Sequence, residues 1–267
     1  MENHTSILVK VISLPSEIER RKSISSQLEN LNIKFSYFDA VDLRTESLGD
    51  IAKLSSLKNK SKYQRPLSRG ETGCALSHLK CYEEIVKSSN EYALIIEDDA
   101  DLTRFNNDIC KKIIQQMGEQ NFDIVLLGYS KLSLVEEKKF YKLEPLKTIC
   151  KIDSFNLGLP WKNWTSGTVA YLIKRNTCSI ILKDFYENKN KICCLADDWR
   201  YFEFLKIKIA HVRPLLVFEK FNKLPSSIED ERSELSKERK REYLYPIRRI
   251  RGMVRWFIMS FQLRFFK

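Results

Sequence analysis

Short apolar runs alternate with stretches of helical spacing through the first half of the chain. Residues 7–12 are apolar except for Lys10 and predict a short buried strand. Residues 16–31 follow with Ile18, Ile24, Leu28 and Leu31 on or near one helical face. Residues 34–38 alternate like a strand and end in Asp39-Ala40-Val41-Asp42. A polar stretch, 47–69, rich in Ser and Lys, predicts a loop with a helical turn or two. Helical spacing returns over 70–87 through Leu76, Leu79, Tyr82 and Val86. Residues 92–96 are a buried strand that runs straight into Glu97-Asp98-Asp99. A helix over about 107–117 leads to another buried strand at 123–128. This β-α-β-α-β succession predicts an α/β fold with a mostly parallel sheet and helices on both faces. Ligands of such sheets sit outside the carboxyl ends of the strands, where Asp39, Asp42 and the acids at 97–99 fall.

The second half is less regular. Residues 130–146 are charged and predict a solvated excursion or hairpin. A strand is expected over 167–173, helices over 176–186 and 197–205, and a strand or two over 207–218, interrupted by Pro214. From Lys237 the pattern changes again. On a helical wheel Ile247, Ile250, Val254, Phe257, Ile258, Phe261 and Phe265 gather on one side. Arg248, Arg249, Arg255 and Lys267 lie mainly on the other, with Arg251 and Arg264 flanking the stripe. The expected organisation is a catalytic domain over 1–236 and a basic amphipathic segment over 237–267.

Composition narrows the class. With 267 residues, 43% hydrophobic and 30% charged, the chain is an ordinary globular one with room for a sizeable core. Lys+Arg 46 against Asp+Glu 35 gives a net charge of +11, and no acid follows Glu242. The seven cysteines make no Cys-x-x-Cys pair and no zinc spacing, so reduced buried thiols are expected. No secretory leader and no membrane-spanning run is expected: residues 1–6 are polar, and no uncharged stretch approaches about 20 apolar residues.

Four groups of residues carry candidate chemistry. Glu97, Asp98 and Asp99 repel one another unless a divalent cation sits among them, and hard oxygen ligands suit Mn²⁺ or Mg²⁺. Residues 97 and 99 share one side of an extended chain; a solvated acidic turn is the plainer reading. The segment Ser68-Arg69-Gly70-Glu71-Thr72-Gly73-Cys74, with His78 one turn on, places glycines at a helix start, which favours anions. His78 reads equally as a helix histidine with one hydrogen bond. Ser13-Leu14-Pro15 with Arg20 and Arg21 lies in the first strand–helix connection, where arginines can pair with phosphate or simply face water. Asp197-Asp198 opens a helix, where one carboxylate can cap and the other act as a general base.

Taken together, these segments resemble glycosyltransferase family 25, the bacterial lipooligosaccharide galactosyltransferases and their collagen-modifying relatives. The resemblance spans about residues 5–218 and includes 93–100, 122–128 and 167–173. It implies a GT-A-like fold, a UDP-hexose donor, a divalent cation and transfer with inversion. It places Glu97 and Asp99 as metal ligands and Asp197 or Asp198 as the base. It assigns the donor to Ser13, Leu14, Pro15, Arg20, Arg21, Asp39, Ala40, Asp42, Gly70, Glu71, Gly73, Cys74, His78 and Asp98. This chain opens the acidic motif with Glu rather than Asp, and has Leu-Ala-Asp-Asp where the family has Pro-hydrophobic-Asp.

The expected partners are a UDP-hexose, weighted by the family toward galactose with glucose and other hexoses open, and a lipooligosaccharide acceptor. The tail has the pattern of an interfacial helix, so a peripheral position on the anionic inner face of the cytoplasmic membrane is expected. Packing of the tail on the catalytic domain or in a homodimer is the alternative. A metal-dependent phosphoesterase is the competing activity, but it would want clustered histidines, and His4, His78 and His211 are far apart in sequence. No nucleic-acid partner is expected, because the tail aromatics fall on the apolar stripe.

Overall fold

The computed structural model describes residues 7–56, 66–220 and 245–265, the last as backbone alone at 245–248 and 260–265. The strands are β1 (Ile7–Ser13), β2 (Ser36–Asp39), β3 (Tyr92–Glu97), β4 (Ala100–Asp101), β5 (Ile124–Leu126), β6 (Gly128–Tyr129), β7 (Leu146–Ile152), β8 (Phe155–Pro160), β9 (Ala170–Lys174), β10 (Ile209–Arg213) and β11 (Val217–Glu219). The helices are α1 (Ile18–Asn30), α2 (Leu48–Leu54), α3 (Arg69–Lys87), α4 (Asn107–Glu119), α5 (Leu134–Leu143), α6 (Arg175–Glu187), α7 (Trp199–Phe204) and α8 (Tyr245–Phe265).

An 8-stranded sheet has the order β2-β1-β3-β9-β5-β10-β8-β7. Strands β2, β1, β3, β5, β10 and β7 run one way; β9 and β8 run the other. The expected mostly parallel α/β sheet is therefore present. A small sheet, β4-β11-β6, sits at its carboxyl edge. Within β3, Leu94 and Ile96 face one core with α1 and α4, while Ala93 and Ile95 face a second with α3, α6 and α7. That two-sided burial explains the unbroken apolar runs. Each fully buried Leu, Ile or Val side chain contributes about 1.5–3 kcal/mol.

Two local outcomes differ from the periodicity. Strand β9 lies between β3 and β5 and is antiparallel to both; a strand buried on both faces carries no direction in its pattern. Residues 134–143 form a helix rather than a hairpin, opened by a Ser133–Glu136 capping box. Its Glu137 is buried, receives the Leu215 N–H at 3.0 Å and pairs with Arg104 at 2.8 Å.

The tail helix docks on the body of the molecule. Helix α8 packs against α5 and β7. Gly252 rests on the Lys142 carbonyl so closely that a Cβ would lie 2.3 Å from its oxygen. Arg255 pairs with Glu144 at 2.6 Å, and Met259 is buried beside them. The boundary expected at 236/237 lies outside the described residues. Among the described residues, no helix is long and apolar enough to cross a membrane.

Candidate active site

A cavity of about 450 Å³ opens at the carboxyl ends of β1, β2 and β3. Its wall includes Ser13, Leu14, Arg20, Ala40, Asp42, Gly70, Glu71, Gly73, Cys74, Glu97, Asp98, Asp99 and Asp197. Residues from five separate segments thus meet at one place, as the strand-end argument requires.

The three adjacent acids have three different environments. Asp98 accepts from the Ser13 hydroxyl at 2.7 Å and pairs with Arg20 at 2.7 Å. Glu97 turns toward α3: it accepts from the Thr168 hydroxyl at 2.5 Å, and its Oε1 lies 3.4 Å from His78 Nε2. Burial opposes its ionisation, but His78, the Thr168 hydroxyl and Arg20 outweigh burial and hold Glu97 below its ordinary value. Asp99 is buried; its Oδ2 lies 3.5 Å from Arg20, and its Oδ1 has no hydrogen-bond partner among the described residues. Burial first, then the charges of Glu97 and Glu219, push Asp99 well above the carboxylate range, against the pull of Arg20.

The two acids before α7 also separate. Asp198 is buried, caps α7 by accepting from the Tyr201 N–H at 3.1 Å, and bridges to Thr165. Asp197 lines the cavity and receives the Gly167 N–H at 2.9 Å.

The start of α3 explains several motif residues structurally. Ser68 and Glu71 form a reciprocal capping box, at 3.1 Å and 3.0 Å. Gly73 lets the Val41 carbonyl approach; a Cβ there would lie 2.7 Å from that oxygen. Cys74 Sγ, His78 Nε2 and a Glu97 oxygen lie within 4.8 Å of one another. Burial, then the Glu97 charge, pushes the Cys74 thiol well above its usual range, so it stands as a neutral donor to Glu97.

Pro15, Arg21, Asp39, His78 and Asp198 are not on the cavity wall. Arg21 braces the end of β1, donating to the Ser13 carbonyl at 2.8 Å and pairing with Asp39 at 2.5 Å. His78 stands behind Glu97, and its Nδ1 lies 2.7 Å from the Tyr171 hydroxyl, which meets Tyr82 at 2.7 Å. Both described histidines are buried: His211 bridges Tyr129 and Asn163 at 2.7 Å and 2.8 Å, and burial, then Arg213, pushes it well below its usual value. His4 lies outside the described residues.

The wall also holds residues that periodicity did not single out: Arg44, Thr168, Trp164, Ser166 and Glu219. Glu219 had a readable signal, because the apolar run Val217-Phe218 ends in an acid just as β3 does. Pairing of β11 with β4 sets Glu219 opposite Ala100.

A divalent cation fits this corner. Asp99 Oδ1, without a hydrogen-bond partner among the described residues, wants a positive partner, and Glu97 and Glu219 supply further hard oxygens on the same wall. Asp98, committed to Ser13 and Arg20, orients the corner instead.

The sequence is similar to known glycosyltransferases. The family model described as glycosyltransferase family 25 (LPS biosynthesis protein) matches residues 7–199. A Haemophilus influenzae protein named "Putative glycosyltransferase" is 26% identical over 255 residues, covering 92% of this chain and 84% of that protein. Procollagen galactosyltransferase 2 of Homo sapiens is 30% identical over 167 residues, 61% of this chain. This chain spans only 25% of that longer protein. Among solved structures, a glycosyltransferase involved in glycosylation of the major capsid of PBCV-1 superposes with a TM-score of 0.40 at 12% identity, over 85% of this chain and 97% of that one. With its family model covering most of the described body, the chain belongs to glycosyltransferase family 25.

Proposed function

We propose that the protein is an inverting, metal-dependent hexosyltransferase that moves a hexose, galactose by family weight, from a UDP-sugar to a sugar hydroxyl of a lipooligosaccharide acceptor. The observation that carries this reading is one cavity lined by both Asp99, whose buried Oδ1 has no hydrogen-bond partner among the described residues, and the cavity-facing Asp197. The donor occupies the Ser13–Leu14, Ala40–Asp42 and Gly70–Cys74 side of the wall, with Arg20 and Asp98 behind its diphosphate. Asp197 holds the acceptor hydroxyl and takes its proton as that oxygen attacks the anomeric carbon. The bond from that carbon to the diphosphate oxygen breaks, and UDP leaves. Asp99, with Glu97 and Glu219 nearby, would hold Mn²⁺ or Mg²⁺, which supplies positive charge to the departing diphosphate.

The test is calorimetric titration of the full chain with UDP-galactose, UDP-glucose and UDP-N-acetylglucosamine, with and without Mn²⁺. At least one UDP-hexose binds, more tightly with the ion. No binding of any of them in Mn²⁺ rejects the reading.

We further propose that α8 rests on an anionic leaflet. The face of α8 turned away from α5 is apolar and exposed: Ile250 at 58%, Val254 at 52% and Phe257 at 65%, with Met253 beside them. Exposed Arg249 and Arg251 stand at its two edges. Each basic residue near an anionic surface contributes about 1 kcal/mol. That charge favours lipid over a second copy of the same basic helix. Full-length protein is expected to float with phosphatidylglycerol vesicles and not with phosphatidylcholine vesicles. Combined Ile250→Ser and Phe257→Ser substitution abolishes flotation. Equal flotation of the variant, or a dimer by light scattering that the substitution dissolves, discards the lipid assignment.

A further inference from the structure

The connection between β8 and β9 carries Trp164, Thr165, Ser166 and Gly167 onto the cavity wall. It is clamped from two sides. Thr165 bridges to Asp198, and the Ser166 carbonyl receives the Ser130 N–H at 2.7 Å. The indole of Trp164 is half-buried and backed by three rings: Tyr129 at 5.6 Å, Phe140 at 5.8 Å and His211 at 5.2 Å between centroids. His211 is itself fixed by Tyr129 and Asn163. Its Nε2 donates to the Asn163 carbonyl oxygen, so its Nδ1 accepts from the Tyr129 hydroxyl. The indole therefore has little freedom to turn.

Two residues along, Ser166 lines the same cavity and is only 6% exposed, and its hydroxyl has no hydrogen-bond partner among the described residues. A buried hydroxyl left open in this way calls for a partner from outside the protein. Its neighbour Gly167 donates to Asp197, so the open hydroxyl lies next to the residue that holds the proposed base.

We propose that this shelf is the acceptor subsite and takes a pyranose, stacked by its C–H face on Trp164 and hydrogen-bonded through a ring hydroxyl to Ser166. The inference rests on the glycosyl-transfer reading and adds to it where the acceptor sits and by what chemistry. A pyranose has the matching character, an apolar face of C–H groups and a rim of hydroxyls. An aromatic platform with a few placed polar groups is how proteins fix such a ligand. In the proposed arrangement the donor's diphosphate lies at the ends of β1 and β3, beside Arg20 and Asp99. The shelf adjoins it, since Thr168 of the same connection donates to Glu97; a UDP-affinity measurement separates acceptor from donor binding.

The experiment uses the full chain with Mn²⁺ and UDP present, and methyl β-galactoside, methyl β-glucoside and lactose as probes, read by saturation-transfer NMR. UDP affinity is measured separately by calorimetry. Wild-type protein binds at least one saccharide. Trp164→Ala and Ser166→Ala each weaken that binding by about tenfold, Trp164→Phe retains most of it, and UDP affinity stays unchanged in all three. Ser166→Ala removes a single oxygen, so it reports even if Trp164→Ala melts early. Unchanged saccharide binding in both alanine variants overturns the proposal. So does a fall in UDP affinity on Trp164→Ala, which would make the indole a uracil platform. Wild-type protein that binds UDP but no saccharide overturns the acceptor subsite alone, whereas failure to bind UDP or any UDP-hexose overturns the donor reading itself.

Discussion

Asp197→Asn lowers kcat for hexose transfer by about 10²–10⁴-fold while the protein stays folded and keeps its affinity for the UDP-sugar. The amide keeps the shape of the carboxylate and can still accept the Gly167 N–H through its oxygen. What it loses is the ability to take a proton from the attacking hydroxyl. Asp198→Ala is the contrasting variant. Asp198 is buried and spends its carboxylate on the Tyr201 N–H. Its loss removes a helix cap worth about 0.5–2 kcal/mol. In a chain of this size that lowers Tm by about 2–4 °C per kcal/mol. Steady-state kinetics and thermal melting of the two variants separate the roles. Equal kcat loss in both, or none in Asp197→Asn, rejects Asp197 as the base.

Asp99→Asn abolishes metal-dependent transfer and at the same time raises the Tm of the metal-free protein. The carboxylate of Asp99 is buried beside Glu97 and Glu219, with one oxygen unpartnered among the described residues. Its folded pKa is raised above the unfolded value, so the folded state binds more protons than the unfolded state between the two. Stability therefore falls as pH rises through that window and stays lower above it. The uncharged amide removes the pH-linked loss, so the Tm gain is present at neutral pH and vanishes below the ordinary carboxylate range. The activity loss is expected to be at least about 10²-fold, the scale of removing one group that stabilises a developing anion. Mn²⁺ raises the Tm of wild-type protein and leaves Asp99→Asn unmoved. A variant that is less stable than wild type at pH 7 without metal, or that keeps its Mn²⁺ response, contradicts this account.

Much of the fold can be read directly from local pattern. The runs at 7–12, 92–96 and 123–128 overlap the strands observed there, because strands buried on both faces must be largely apolar. The same fact hid the direction of β9, since Ala170–Lys174 looks alike in either orientation. The helix at 134–143 was masked by its charges, although Ser133-x-x-Glu136 carries the capping-box signature. At the site, strand-end acids were legible because the chain has no structural need for three carboxylates after an apolar run. Which of them points into the cavity was not, because Thr168 and Ser13 reach them from distant segments. The choice between Asp197 and Asp198 likewise turned on which one the helix needed. Trp164 and Ser166 carry no local signal: their meaning comes from Tyr129, Phe140 and His211 arriving behind them.

Helix α5 has a consequence of its own, for it is shared. Its Phe140 lines the cavity, and its last carbonyls carry Gly252 of α8. A helix with its side chains is about 10–12 Å across. On the proposed placement of α8 on a bilayer, the reaction centre would stand roughly one helix thickness above the lipid headgroups. Such a clearance would match a short glycan on the proposed lipid-tethered acceptor, and diffusion in a plane, rather than in bulk, would then govern how the two meet.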